Sequence, residues 1–228
     1  MKNTMIHLEN MSVTELFTPN RTIAWEFLTR YKWPWDALPD ICGFIPELGA
    51  SLDAAEYDRL RDDVWIHKTA TVAPTAHIGS SIIIGAGAEV RHCAFIRRNA
   101  LIGSGAVVGN STELKNVILF DAVQVPHYNY VGDSILGYKS HMGAGSITSN
   151  TKSDHSLVSV HCGDRQIDTS LKKFGAILGD FVEIGCNSVL NPGSIIGRDT
   201  IVYPLSMVRG YVPPGSIYKK QGEIVEKR

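Results

Sequence analysis

From Ile66 onward, single aliphatic residues recur at every sixth position: Ile66, Val72, Ile78, Ile84, Val90, Ile96, Ile102, Val108 and Leu114. A step of six turns an α-helix by about 240°, so these side chains cannot share a helical face. An amphipathic strand of ordinary length would instead show apolar residues at every second position. Glycine follows the aliphatic in I-G-S-S, I-G-A-G, I-G-S-G and V-G-N-S, and small residues hold the fifth place at Ala70, Ala76, Ala88, Ala94, Ala100, Ala106 and Thr112. This is a hexapeptide repeat, in which each hexad gives a short strand and a turn and three hexads close one triangular coil of a β-helix. The aliphatic fills the interior; the small residue and the glycine fit the corners. The expected fold is therefore mainly β, a parallel β-helix.

The pattern shifts by one residue at Leu119, resumes at Val125 and Val131, shifts again to Leu136 and Met142, and stops after Thr148. It returns at Leu178, Ile184, Leu190, Ile196, Val202 and Val208. The intervening loop, about 149–174, has no hexads, and a long unpatterned segment in a compact fold is usually functional or disordered. V-P-P-G-S at 212–216 is expected to end the repeat, because proline donates no ladder hydrogen bond. Residues 214–228 read as a charged tail. Ahead of the repeat, residues 1–63 read as a small helical cap over one end of the β-helix. Trp25, Leu28, Tyr31 and Trp35 form an apolar helical stripe that breaks near Pro34. A second helix is expected over 51–61, with Ser51 as N-cap and Leu52, Ala55 and Leu60 turned inward. The β-helix itself is expected over 64–213.

Composition narrows the function classes. Hydrophobic residues make up 44% of the 228, enough for a substantial core. A net charge of -1 and a pI near 6.7 give no electrostatic footprint for nucleic acid. No apolar run approaches the ~18 residues of a membrane span, and M-K-N-T-M-I-H-L-E-N lacks the apolar core of a signal peptide. Cys42, Cys93, Cys162 and Cys186 are scattered without a C-x-x-C, which argues against zinc-ribbon and thioredoxin chemistry. A cytoplasmic protein with free thiols is expected.

Candidate chemistry concentrates between Val108 and Asn150. Coils of about 18 residues stack in register, so residues one coil apart form columns. Arg97 and Lys115 are both second residues of their hexads and are placed as stacked neighbouring cations. That arrangement fits either an anion held between them or two solvated charges. His92, Asn110, His127 and Ala144 are third residues and form a second column. His127 has Tyr130, Asn150 and the turn Gly143-Ala144-Gly145 nearby, and a base with a backbone N–H donor is the minimum equipment for acyl transfer.

The ordered motifs V-G-N-x-x-E-x-K, H-x-x-Y-x-G-D and G-A-G-x-I-T-x-N, with K-F-x-x-I-x-G-D at 173–180, carry a resemblance. This stretch resembles the C-terminal acetyltransferase domain of the bifunctional N-acetylglucosamine-1-phosphate uridyltransferase/glucosamine-1-phosphate acetyltransferases, and the tails of related sugar-1-phosphate nucleotidyltransferases. The resemblance covers roughly residues 64–210 and includes no nucleotidyltransferase domain. It implies a left-handed β-helix, a homotrimer, and acetyl-CoA bound between subunits, with no metal. It implies His127 as general base and Arg97 and Lys115 as sugar-phosphate ligands. Tyr130, Asn150 and Lys173 would hold the phosphate or the sugar, and the Ala144 N–H would contact the acyl carbonyl. Two positions depart from the family pattern: His141 replaces an asparagine that touches the sugar, and Cys186 a serine on the acetyl-CoA side. The leading expectation is an acetyl-CoA-dependent N-acetyltransferase on an amino-sugar 1-phosphate. The alternatives are a non-catalytic sugar-phosphate-binding or regulatory trimer, to which the cap points, and a zinc hydratase, which needs three converging ligands.

Overall fold

The computed structural model describes residues 8–227. Met1–His7, on which most of the signal-peptide reading rests, and Arg228 lie outside them. The chain winds into a left-handed parallel β-helix. Each coil crosses three faces. On the first face, Thr71–Val72, Glu89–Val90, Val107–Asn110, Gln124–His127, His141–Met142, Glu183–Ile184 and Ile201–Val202 pair in parallel. The second and third faces are joined in long strands such as His77–Ile84, Phe95–Ile102, Glu113–Leu119 and Tyr130–Leu136. Each of these turns a corner at a residue with left-handed backbone: Ser81, Asn99, Asn116 and Asp133. Asparagine and aspartate visit that region more cheaply than other side-chain-bearing residues. The interior aliphatics of the hexads, among them Ile84, Val90, Ile96, Ile102, Val108 and Leu114, are buried.

The first one-residue shift sits earlier than the hexad pattern indicates. Ile96 pairs with Leu114, eighteen residues on, but Arg98 pairs with Lys115, seventeen on. The interior aliphatics keep their columns, so the missing residue is removed at outward positions just before the corner. Arg97 is left without a counterpart, and Lys115 lies opposite Arg98. The expected stacking of Arg97 over Lys115 is therefore overturned.

The third face carries a second pattern. Its strands read V-W-I, I-I-I, A-L-I, V-I-L, S-I-L, A-I-L and S-I-I, with an apolar residue at the middle, outward position. Ile83, Leu101, Ile118, Ile135, Ile177 and Ile195 are all fully buried. Over the earlier coils their cover comes from the N-terminal segment, so the cap lies along a flank and not over an end. The helix Ile41–Ala50 packs on the strands through 84, 102 and 119, and the 3-10 turn Pro34–Asp40 packs on Tyr130–Leu136. Phe17 meets Phe120 at 4.7 Å and Trp35 meets Phe174 at 6.1 Å between centroids. Burying each such side chain contributes roughly 1.5–3 kcal/mol, which is what makes a flank of six outward aliphatics demand a cover. The buried Asp180 carboxylate fastens cap to coil, accepting the Thr18 N–H at 2.7 Å and the Tyr138 N–H at 2.8 Å.

Three further expectations need correction. There is no helix over 51–61. Ser51 is the C-cap of Ile41–Ala50, and Tyr57–Arg61 is a strand antiparallel to Val64–His67. Leu60 is 58% exposed, so the propensity for helix yields to the free edge of the first coil. The unpatterned loop is not structureless: Val158–Cys162 and Arg165–Leu171 form an antiparallel hairpin. It continues the cover of the third face over Ser194–Ile196 and Tyr211–Val212. The expected charged tail is also ordered. Ser216–Lys220 adds one more parallel strand beside Ile201–Val202 and then pairs antiparallel with Glu223–Glu226. Pro213 and Pro214 sit at the corner, where no ladder donor is required. No helix among the described residues is long and apolar enough to cross a membrane.

Candidate functional site

Two corners border the second face. The first corner carries His127. Its turn is held by Asn129, a buried side chain that accepts the His127 N–H at 3.1 Å and donates to Gly143 O at 2.8 Å and Ser146 O at 3.1 Å. The Gly145 N–H donates to His127 O at 3.0 Å. One asparagine thus locks the histidine turn to the glycine turn in the next coil, and Ala144 stands beside His127 as the column arithmetic requires. The His127 side chain is exposed and has no hydrogen-bond partner among the described residues. The Ala144 carbonyl accepts the Asn187 N–H at 2.9 Å, which brings the exposed Cys186 to the same corner one coil further on. A shallow, largely apolar groove of about 260 Å³ runs along this edge past His141, Cys186, Tyr203 and Pro204.

The second corner holds a charge network. Lys115 Nζ lies 2.7 and 2.9 Å from the two Asp133 oxygens, and both side chains are nearly dry. Asn116 Nδ2 donates to Asp133 Oδ1 at 3.1 Å and to the cap carbonyl of Leu38 at 3.1 Å. Asn150 Nδ2 donates to Asp133 Oδ2 and to the Tyr130 hydroxyl, the latter at 3.2 Å. Gly132 makes this possible, since a Cβ there would lie 2.5 Å from the Tyr130 hydroxyl and 2.9 Å from Asn150 Nδ2. Burial, then the charges of Asp133 and Glu113, raise the Tyr130 pKa above its ordinary value, so the phenol keeps its proton as a donor. Arg97 is more exposed and pairs with Glu113 at 2.9 Å. The Phe174 N–H closes the base of the insertion on Asn150 O at 3.0 Å, placing exposed Lys173 one residue away.

Of the residues singled out in the sequence, Lys115, Tyr130 and Asn150 come together in one network, with Arg97 and Lys173 at its margins. His127, Ala144 and Cys186 gather at the other corner, one short strand away, roughly 10–13 Å along the chain. His141 joins neither group through its side chain. It points out from the first face, with Nδ1 2.8 Å from Glu183 Oε2. Lys115 is not the free cation expected, because Asp133 already neutralises it. Asp133, Glu113, Asn116 and Asn129 are the residues the sequence reading did not assign roles to. The first two lie inside the motifs E-x-K and G-D, so the signal was present, whereas Asn129 and Asn116 act through contacts with distant segments. Among the described residues no three or more histidine, cysteine, aspartate or glutamate side chains cluster as a metal site.

Comparison with known proteins agrees with the motifs. The family model described as the GMPPB C-terminal domain matches residues 82–201, just over half of the chain. The bifunctional protein GlmU of Methanococcus vannielii is 34% identical over 136 residues, which is 59% of this chain and 33% of that protein. A bifunctional sugar-1-phosphate nucleotidylyltransferase/acetyltransferase of Sulfurisphaera tokodaii is 28% identical over 195 residues, 86% of this chain and 47% of that one. The chain thus spans between a third and a half of the length of these relatives. Among solved structures, a hexapeptide transferase family protein from Anaplasma phagocytophilum aligns at 16% identity with a TM-score of 0.41, covering 72% of this chain and 80% of that one.

Proposed function

The chain belongs to the GMPPB C-terminal domain family, and on that footing we propose that it is an acetyl-CoA-dependent N-acetyltransferase acting on an amino-sugar 1-phosphate. The observation that carries the reading is the junction at Asn129, which sets an exposed imidazole beside a glycine turn. His127 takes the proton from the acceptor amine as its nitrogen attacks the thioester carbonyl. The Ala144 N–H, which has no acceptor among the described residues, donates to the carbonyl oxygen as it gains charge. The carbon–sulfur bond then breaks, CoA leaves as the thiol, and an amide remains. No covalent enzyme intermediate is required, because both substrates are held side by side.

The groove beside Ala144 and Cys186 fits an extended thioester arm, since its walls at Ile184, Val202 and Tyr203 are apolar and it is open along one side. The acceptor phosphate sits at the opposite corner, with Arg97 and Lys173 as its cations and Tyr130 and Asn150 on the sugar. Lys115 acts there through Asp133, fixing Asn150. His141 approaches the acceptor of a neighbouring copy, in a homotrimer whose contacts use the uncovered first and second faces. Exposed Leu205, Met207, Tyr203 and Phe95 on those sides support that assembly. The non-catalytic reading drew its strength from an unexplained cap, and the buried third face now explains the cap.

The test is release of free CoA from acetyl-CoA with glucosamine 1-phosphate and a panel of other amino-sugar phosphates. Turnover that vanishes in His127→Ala is expected. No release with any amino sugar, or equal release by the variant, overturns the proposal. Light scattering at micromolar concentration tests the trimer, and a monomer there contradicts it.

A further inference from the structure

The inserted hairpin is seated on the β-helix by direct backbone contact. Gly193 and Gly210 take φ values of +78° and +79° at the corner beneath it. A Cβ at Gly210 would lie 2.5 Å from His161 O, and one at Gly193 would lie 2.9 Å from Ser159 O. Only bare backbone lets the strand Val158–Cys162 come this close. The seating leaves a cleft of about 370 Å³ between the hairpin, the loop that leads into it and the corner at Arg209.

The cleft gathers Lys152, His161 and Arg209. Arg209 Nη2 lies 3.4 Å from His161 Nε2, an arrangement in which the guanidinium donates to an unprotonated ring nitrogen. Burial, and then the charges of Arg209 and Lys152, push the His161 pKa below its ordinary value. The one carboxylate in the cleft, Asp154, accepts the Ser156 N–H at 3.0 Å and its hydroxyl at 2.8 Å, and stands 3.6 Å from Lys152 Nζ. Ser149, Ser153 and Ser159 line the walls, and their hydroxyls have no intramolecular partner among the described residues. Two cations, an imidazole and spare hydroxyls face a cleft with a single carboxylate, already engaged by Ser156, so the lining carries a positive balance, with Lys152 also donating to Ser156 Oγ.

We propose that this cleft binds the phosphoryl or diphosphoryl group of a small molecule, through Arg209, Lys152 and His161. The guanidinium fork and the ammonium match phosphate oxygens, and the hydroxyls complete the shell. The volume lies in the range of small-molecule sites and exceeds what one phosphate fills. Ser149 precedes Asn150, so the cleft adjoins the acceptor corner. The phosphate comes either from an acceptor carrying a second, outer phosphate or from a separate phosphorylated ligand. The site stands without the acetyl-transfer reading.

Calorimetric titration of the full chain with inorganic pyrophosphate tests it. Wild type is expected to bind at millimolar concentration or below. Arg209→Ala should weaken binding by roughly ten-fold or more, and Lys152→Ala with Arg209→Ala should abolish it. Arg165→Ala at the exposed hairpin tip should change nothing, and thermal melts of all variants should coincide. The His161 ring resonance should move on titration and its pKa should rise, since a bound anion offsets Arg209 and Lys152. Displacement of pyrophosphate by amino-sugar 1-phosphate assigns the site to the acceptor, and simultaneous binding assigns it to a second ligand. Absence of pyrophosphate binding in wild type, or equal binding by the double variant, overturns the proposal. None of these readouts requires acetyl transfer, so the proposal and the assigned activity can fail separately.

Discussion

The two corners of the second face are built on opposite plans. At the Asp133 corner the buried charges are answered within the chain: Lys115, Asn116 and Asn150 converge on one dry carboxylate, and Asn116 also reaches into the cap. At the His127 corner the backbone is locked by Asn129, but the imidazole is exposed and has no side-chain partner. One corner is finished by its own fold; the other is positioned and left open. On the proposed function, the difference should separate residues whose loss damages the fold from residues whose loss damages only turnover.

The sharpest way to break this contrast is Asp133→Ala. It leaves the Lys115 ammonium buried without a partner, and chemical denaturation should show a loss of about 3–5 kcal/mol. His127→Ala should leave stability within about 0.5 kcal/mol. It should instead lower kcat by roughly 10²–10⁴ with little change in the acceptor KM. Wild-type turnover in that variant would remove His127 from the role of base. Arg97→Ala sits between the two plans. Its partner Glu113 is on the surface, so stability should hold while the acceptor KM rises by roughly 10-fold or more from the lost charge-assisted bond. An equal loss on glucosamine without its phosphate would make Arg97 a support for Glu113 only.

A smaller effect tests whether the cap is part of the finished corner. Asn116→Ala removes the hydrogen bonds to Leu38 O and Asp133, and forces alanine into a left-handed backbone. A cost of about 1–3 kcal/mol in denaturation is expected. The smallest effect is a pH dependence at the hairpin. His161 is held below its ordinary pKa, so between that lowered value and about 6.5 the unfolded state binds more protons than the native one. Stability therefore falls as pH drops through that interval, and the fall should shrink in Arg209→Ala. Hydrogen exchange of Val158–Cys162 against pH measures it.

The hexad spacing from Ile66 to Val208 determines the β-helix by itself, because only a residue repeating once per side of a triangular coil can fill its interior. Column arithmetic likewise places Ala144 beside His127 once the one-residue shift between Val131 and Leu136 is counted, and the pairing of His141 with Gln124, seventeen residues apart, has the same offset. The apolar triplets I-I-I, A-L-I and V-I-L also mark a flank that needs cover, a second signal superimposed on the six-residue period. What covers that flank is a tertiary outcome, because nothing local in 8–50 or 158–171 encodes its docking surface. The position of the first one-residue deletion was also decided in three dimensions. Leu114 and Leu119 both satisfy the interior, and only strand pairing shows that Lys115 faces Arg98 and turns inward to Asp133. A one-dimensional pattern counts residues along a coil; whether a charge at a corner meets solvent or a carboxylate depends on chain that arrives from elsewhere.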